Sequence, residues 1–139
     1  MPFRPERDPA FFDELARDHF PGWIGVSITE VSDGLVRAEL ALRPELFAPN
    51  GFVHAGSVVT LADTAAGFAC FAHLPEDAVG FTTLELNANF LRAARDDVLR
   101  CEARPVHLGR RTQVWGASVA GDGEREVAVF RCTQLVLYD

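Results

Sequence analysis

Residues 50–74, NGFVHAGSVVTLADTAAGFACFAHL, constrain the fold of this chain more than any other segment. Between Gly51 and Pro75 the segment contains no proline and one carboxylate, Asp63. Start and stop signals of this kind frame a helix of about 18 residues. Because so apolar a helix needs cover from the rest of the protein, we expect the remaining elements to be arranged around it.

The acid in the middle of this helix needs an explanation. On a helical wheel at about 100° per residue, Asp63 lies on a face of mostly small residues, and the opposite face is more apolar, as in a helix covered by a sheet. We therefore expect Asp63 to lie in a shallow groove, where an unpaired charge is costly, and predict a function for it. The alternative is a structural acid satisfied by the backbone or by Thr60. The face of Asp63 holds Gly56, Val59, Thr60, Ala66, Gly67 and Cys70.

The length of 139 residues predicts one domain, 1–139, with an N-terminal helical extension, 1–22, and a core, 23–139. The chain is 24% charged and 48% hydrophobic, which is ordinary globular composition. No uninterrupted apolar run approaches the roughly 20 residues of a membrane span, and the first residues lack the apolar segment of a signal peptide. We expect a soluble, cytoplasmic protein without a membrane partner.

The cysteines and charges exclude several kinds of site. Cys70, Cys101 and Cys132 are odd in number and widely spaced, so buried free thiols are expected rather than disulfides or a metal site. The net charge is −7, and all 13 basic residues are arginine. A nucleic-acid partner is therefore not expected, although a local arginine cluster suits an anionic ligand. No cofactor is predicted.

The other elements follow from local patterns. A short amphipathic helix is predicted over 9–19 after Asp8 as the N-cap, with Pro21 and Gly22 ending it. Alternating residues from Ile24 onward, with a turn at 32–34, predict a β-hairpin. Trp115 and Phe90 are predicted to be core residues. Four further strands are predicted over 81–91, 98–106, 111–120 and 127–138.

These elements predict an α+β fold. About six antiparallel strands suit a curled sheet wrapped around one long central helix, with the short N-terminal helix outside. Such a sheet has exposed edges. Pairing between the edges of two copies covers them, so a homodimer is expected.

The central helix carries two groups able to act on a carbonyl compound. Its N-terminus, near Ala55 and Gly56, offers unpaired N–H groups and the positive end of the helix dipole to an oxyanion. Asp63 is a base or a nucleophile. The eight residues from Ala55 to Asp63 span about 12 Å, too far for one thioester carbon to touch both groups. The spacing therefore predicts a site at the dimer interface, with one group from each subunit.

The stretches HAGSVVTLAD and TTLELNANFLRAA resemble the hotdog-fold acyl-CoA thioesterases of the phenylacetate-degradation and 4-hydroxybenzoyl-CoA type. The resemblance covers roughly residues 24–137. It implies the hotdog fold and hydrolysis of an acyl- or aryl-CoA thioester to the free acid and CoA. It further implies that Asp63 is the general base or nucleophile. Ala55 and Gly56 match a Gly-Gly pair whose first N–H, in the partner subunit, polarises the carbonyl; alanine at the first place is a departure.

The same resemblance implies the rest of the site. A polar residue common in the family falls on Ala48 here, and Asn50 lies two positions later. CoA phosphates would meet arginines, and the two-fold dimer would pair again into a dimer of dimers. The substrate-binding candidates are Asn50, His54, Thr60, Gly67, Thr82 and Thr83, and the CoA-binding candidates are Arg92, Arg95, Gly109, Arg110 and Arg111.

Several alternatives stay open at this point. His54 is also interpretable as a residue that orders the loop, Asn50 as a turn former, and each arginine as part of a solvated strand edge. A hotdog dehydratase or hydratase, or a non-catalytic acyl-CoA-binding protein, is the alternative to a thioesterase. Coenzyme A and acyl carrier protein are both possible carriers.

Overall fold

The fold is given by a computed structural model that describes residues 2–95 and 97–139. Three α-helices and six β-strands lie within this part of the chain. The helices are α1 (Pro9–Ala16), α2 (Phe20–Ile24) and α3 (Ala55–Ala72), and the strands are β1 (Val26–Ser32), β2 (Leu35–Ala41), β3 (Gly80–Phe90), β4 (Val98–Leu108), β5 (Thr112–Ala120) and β6 (Glu126–Leu137).

The six strands form one antiparallel sheet in the order β1-β2-β4-β5-β6-β3. The sheet curls around α3, which packs against all six strands. Leu61, Ala65 and Ala69 of α3 are completely buried, as is Trp115 opposite them. This confirms the predicted α+β architecture, which is the hotdog arrangement that the resemblance implies.

Helix α3 has the 18 residues that its framing signals predicted. By length and composition alone α3 could also cross a membrane. The core helix of a globular protein passes the same test, and most of α3 is buried inside the protein. Helix α3 is therefore the core of the sheet that surrounds it.

The C-terminal end of α3 is held by the N-terminal segment of the chain. The Arg4 N–H donates to the carbonyl of Ala72 at 3.0 Å, and the Arg4 guanidinium donates to the carbonyl of Pro75 at 2.7 Å. The Arg7 guanidinium donates to the carbonyl of Phe71 and lies 4.0 Å over its ring. The Arg4 N–H and the Arg7 guanidinium thus satisfy two carbonyls that the helix leaves unpaired, and both cations complement the negative end of its dipole.

The predicted N-terminal helix is confirmed in α1, where the Asp8 carboxylate accepts from the N–H of Phe11 at 2.8 Å. The expectation that Pro21 and Gly22 end the helical segment is wrong, because both lie inside α2. Proline suits the first turn of a helix. A Cβ on Gly22 would lie 2.2 Å from the carbonyl oxygen of Ala16, so glycine is what lets α2 pack this closely on α1.

The two edges of the sheet differ. Helix α1 packs on the edge strand β1, and the Asp13 carboxylate accepts from the N–H of Ile28 at 3.0 Å. The other edge strand, β3, has no such cover among the described residues. Residues 82–87 are all exposed, and Leu84 is 57% exposed. A long, partly apolar edge of this kind is a surface for strand pairing.

A buried histidine follows the end of α3. The His73 ring is completely buried, and its Nδ1 lies 2.7 Å from the carbonyl of Ala69. Its Nε2 accepts from the N–H of Gly34 at 2.9 Å, which requires the neutral ring with the proton on Nδ1. Burial lowers the pKa of His73 from its ordinary value, in spite of the nearby Asp33 carboxylate.

The fold should therefore lose stability in mild acid. The unfolded chain binds a proton at residue 73 more readily than the folded chain, so stability falls as the pH drops below about 6.5, by up to about 1.4 kcal/mol per pH unit. Urea unfolding of wild type and His73→Gln between pH 5 and 8 measures this, with exposed His19→Gln as the control. Equal pH slopes in wild type and His73→Gln would contradict the assignment.

Candidate functional site

An open cavity of about 560 Å³ lies at the N-terminus of α3. One wall is the loop before the helix, and the other is the end of β3 and the residues after it. The walls combine apolar side chains with a few polar groups, which is typical of a small-molecule site. The lining includes Asn50, Phe52, His54, Ala55, Phe90, Leu91 and Arg92.

The His54 side chain occupies one backbone N–H at the start of α3 and leaves another without a partner. Its Nδ1 accepts from the N–H of Gly56 at 2.8 Å, so in the neutral ring the proton is on Nε2. A Cβ on Gly56 would lie 2.9 Å from Nδ1, which is why glycine suits the position. Within the described residues the N–H of Ala55 has no hydrogen-bond partner. The first N–H of the helix is thus available to a ligand.

The loop before α3 is a tight turn. The Asn50 Oδ1 accepts from the N–H of Phe52 at 3.1 Å, and the N–H of Gly51 donates to the carbonyl of Ala48 at 3.0 Å. Gly51 has a φ of 88°, which favours glycine. Asn50 therefore braces the turn with its oxygen while it lines the cavity, and Ala48 contributes no polar side-chain atom.

Asp63 is not among the residues that line this cavity. Within residues 2–95 and 97–139 its carboxylate has no hydrogen-bond or ion-pair partner, and burial raises its pKa above the ordinary value. The Thr60 hydroxyl donates to the carbonyl of Gly56 at 2.7 Å instead. The structure thus shows an acid that is partly desolvated and unpaired, rather than one satisfied by Thr60.

The neighbours of Asp63 come from the sheet. Burial, followed by the charge of Asp63, raises the pKa of the Cys132 thiol of β6 to about 11. Leu86 of β3 is the strand partner of Cys132. Gly67, one turn after Asp63 on the same face of α3, packs on Phe81 of β3, so Asp63 faces the bare edge strand. No cluster of three His, Cys, Asp or Glu residues suited to a metal ion occurs in the described chain.

The other substrate-binding candidates are distributed along β3 and α3. Gly67 is buried, and a Cβ there would lie 3.3 Å from the Phe81 ring, so it packs on β3 rather than lining open space. Thr82 pairs with Leu135, and Thr83 donates a hydrogen bond to Gln134 Oε1 at 2.8 Å. None of these three candidates lines the cavity at the helix N-terminus.

The arginines form two groups at opposite ends of β3. Arg92 lines the cavity, and the guanidinium of Arg95 lies 4.3 Å over the Phe52 ring. Gly109 and Arg111 belong to the turn between β4 and β5, where Arg110 forms two hydrogen bonds with Asp77, at 3.1 and 2.7 Å. Within one chain, the predicted CoA-binding set is therefore not one cluster.

Sequence reasoning missed some of the cavity residues. Phe90 was predicted to be core but is 46% exposed and lines the cavity, since the end of β3 has no further strand beside it. Arg125 lines a second cavity of about 230 Å³ together with Arg92. Its position in the turn before β6 becomes informative only once β6 is known to pair with β3.

Comparisons with known proteins identify the family of this chain. A family model described as the thioesterase superfamily matches residues 50–128. The chain is 31% identical to a 1,4-dihydroxy-2-naphthoyl-CoA hydrolase of Listeria monocytogenes over 79% of this chain and 89% of the relative. It is 30% identical to the protein of that name from Escherichia coli over 88% and 90%.

Solved structures resemble the whole chain. A mutant thioesterase from Pseudomonas aeruginosa aligns with a TM-score of 0.91 at 27% identity over 97% of both chains. A thioesterase from Haemophilus influenzae aligns with a TM-score of 0.92 at 25% identity over 99% of this chain and 96% of the other. The similarity therefore extends over both the helix and the sheet that surrounds it.

The unpaired acid should destabilise the fold at neutral pH. Below about pH 3.8 Asp63 is protonated in the folded and the unfolded chain, and as the pH rises the folded chain must hold a desolvated charge. Asp63→Asn is expected to melt about 2 °C above wild type at pH 7 and at the same temperature at pH 3. Thermal unfolding at both values measures this.

Asp77→Asn is the control with the opposite expected effect on stability, since hydrogen bonding to Arg110 lowers the pKa of Asp77. Its melting temperature should lie at or below that of wild type at pH 7. A lower melting temperature for Asp63→Asn than for wild type at pH 7 would show that Asp63 stabilises the fold.

Proposed function

Since this chain belongs to the thioesterase superfamily, we propose that it hydrolyses an acyl- or aryl-CoA thioester to the free acid and CoA, with Asp63 as the catalytic carboxylate. One observation carries the proposal. Helix α3 bears two groups without a partner in the described chain, the N–H of Ala55 at the cavity and the carboxylate of Asp63 toward the bare sheet edge. These are the electrophilic and the basic halves of a hydrolytic site.

The cavity is the place for the thioester carbonyl. As the oxygen becomes an oxyanion, the Ala55 N–H donates to it at the positive end of the helix dipole. The Nε2–H of His54, on the same wall, supplies a second donor. His54 is thus proposed to bind the carbonyl as well as to cap the helix.

Asp63 is suited to activate water. Its raised pKa makes it a stronger base than an exposed aspartate, and no internal partner competes for its oxygens. It accepts a proton from water as the water oxygen attacks the thioester carbon. Direct attack by the carboxylate is the alternative route: it expels the thiolate and forms a mixed anhydride. Attack of water on the Asp63 carbon of that anhydride leaves one solvent oxygen in Asp63 after a single turnover in ¹⁸O-labelled water.

The two groups lie about 12 Å apart along one helix, so the complete site needs a second subunit. The bare edge of β3 is the proposed interface, because the β1 edge is covered by α1. Antiparallel pairing of two β3 strands around a two-fold axis makes a continuous sheet. It then brings the α3 helices of the two subunits together on one side of that sheet.

The same pairing explains the two groups of arginines. Around the two-fold axis, the Phe90 end of one β3 strand lies beside the Gly80 end of the other. Arg92 and Arg95 then approach the partner subunit's Arg110 and Arg111. Guanidinium groups suit the phosphates of CoA, which we propose to bind at this junction.

The lining of the cavity favours an aromatic acyl group. Phe52 and Phe90 face it, and a flat ring packs well against aromatic side chains. The relatives from L. monocytogenes and E. coli are named as hydrolases of 1,4-dihydroxy-2-naphthoyl-CoA, an aryl thioester. We extend that preference for an aromatic acid, rather than the particular substrate, to this chain.

The proposal is tested by thiol release from a panel of aryl- and acyl-CoA esters. Asp63→Asn is expected to lower kcat by at least about 100-fold, because the general base is lost. Ala55→Pro removes only the N–H, since proline suits the first helical position and His54 already has the extended backbone that precedes proline. We expect a loss of about 100-fold in kcat.

Asp18→Asn, an exposed acid, is the control and should retain the wild-type rate. Wild-type rates in Asp63→Asn would overturn the catalytic assignment. Wild-type rates in Ala55→Pro would show that the oxyanion is held elsewhere.

A mixing experiment tests whether the site is shared. In a hybrid of one Ala55→Pro subunit and one Asp63→Asn subunit, one of the two sites combines both intact groups. A statistical mixture of the refolded inactive variants should therefore recover about a quarter of the wild-type activity. Light scattering checks that the mixture is dimeric. No recovery would contradict a shared site.

A further inference from the structure

A second polar side chain is connected to the Asp63 region from inside the sheet. Gln134 of β6 is completely buried. Its Oε1 accepts from the hydroxyl of Thr83 at 2.8 Å, and its Nε2 donates to the Cys132 sulfur at 3.3 Å. A buried amide thus holds a hydroxyl that is exposed on the bare edge strand and also contacts the Cys132 thiol, whose pKa the charge of Asp63 helps to raise.

Thr83 lies on the inner face of β3, toward α3, because its strand partner Gln134 is an inward-facing buried residue. Along the inner face of β3, Phe81 precedes it and packs against Gly67, and Leu86 follows it opposite Cys132. Asp63 and Gly67 are one helical turn apart, on the same face. On the inner face of β3, Thr83 therefore comes directly after the residue that contacts the helical turn next to Asp63.

A β-bulge in β3 determines which of its side chains lie on the inner face of the sheet. The pairing of β3 with β6 shifts between Thr83 and Glu85, so that one extra residue stands between the inward positions of Thr83 and Leu86. Without the bulge, strand alternation would turn Glu85 inward, where its charge would face Asp63. The bulge instead pairs Glu85 with Thr133, on the outer face of the sheet.

We propose that Gln134 is a positioning residue for the hydrolytic water, acting through Thr83; this rests on the proposed thioesterase function. Because the Thr83 hydroxyl donates its hydrogen bond to Gln134 Oε1, the hydroxyl oxygen remains available as an acceptor. Water bound between Thr83 and Asp63 donates one hydrogen to each. Its remaining lone pair is then directed at the thioester carbon.

The step balances with these groups alone. Asp63 takes a proton from water as the water oxygen bonds to the carbonyl carbon. The tetrahedral intermediate collapses with cleavage of the C–S bond, and the departing thiolate takes the proton from Asp63. Thr83 keeps its own proton throughout. Gln134 touches no reacting atom and acts by fixing the direction of the Thr83 hydroxyl.

The neighbouring strand supplies a matched comparison. Gln113 of β5 is the strand partner of Gln134 and is also completely buried. Its amide donates to the carbonyl of His73 at 2.9 Å and accepts from the Trp115 indole at 2.8 Å. Gln113 thus satisfies core groups only. Replacing either glutamine removes a buried amide, but only Gln134 reaches the edge strand.

The experiment measures kcat and KM for thiol release in Gln134→Met, Gln113→Met, Thr83→Val and Thr83→Ser, with thermal unfolding of each. We expect Gln134→Met and Thr83→Val each to lower kcat about tenfold with KM within about twofold. Thr83→Ser and Gln113→Met should retain kcat. The double variant Gln134→Met with Thr83→Val should be no slower than either single variant, since the two act as one unit.

Equal losses of kcat in the two glutamine variants would overturn the inference, as would multiplicative losses in the double variant. Thr83 is exposed, so its variants report on the hydroxyl even where a buried substitution impairs folding. Loss of activity in Asp63→Asn beside full activity in Gln134→Met overturns this inference and leaves the proposed function standing. Full activity in Asp63→Asn overturns both.

Discussion

Packing of α3 against all six strands of one sheet is the constraint on which the other features depend. A helix packed against six strands can present polar groups only at its ends and along the strip that the sheet leaves open. Its two ends are treated differently. Arg4 and Arg7 satisfy carbonyls at the C-terminus, while His54 occupies the Gly56 N–H at the N-terminus and leaves that of Ala55 unpaired. The end facing the cavity is thus the one with an N–H group available to a ligand.

The unpaired carboxylate of Asp63 has a cost that the fold tolerates. Hydrogen bonding would lower its pKa and weaken it as a base, whereas desolvation without a partner raises its pKa. Among the described residues no cation pairs with Asp63, and burial alone accounts for its raised pKa. Burial of Asp63 without a partner is therefore the reason both for its expected destabilising effect on the fold and for its raised pKa.

Local sequence patterns predicted most helices and strands, because the signals for where an element starts and ends lie in neighbouring residues. Gly51 and Pro75 frame α3, and Asp8 marks the start of α1. Helix α2 was not predicted, since it depends on the contact between Gly22 and the backbone of Ala16. Such a contact involves residues whose proximity no periodicity reveals.

The site was predictable only where it lies on one element. Asp63 and Ala55 could be placed by counting along α3. Phe90 and Arg125 could not, because their positions at the cavities follow from the pairing of β3 with β6, and sequence alone did not give that order of strands. Gln134 was not predicted as a site residue, because a buried glutamine in a strand has no distinctive sequence pattern.

The Asp13 carboxylate at the β1 edge has a consequence for assembly size. A sheet with two bare edges can add copies indefinitely and form a fibre. Here the N–H of Ile28 is already occupied, so each copy offers one edge that can recruit another. Two copies joined through β3 present only covered edges to solvent. In the proposed dimer, growth by strand addition would therefore stop at two copies, with the Asp13 carboxylate occupying an N–H of the outer edge.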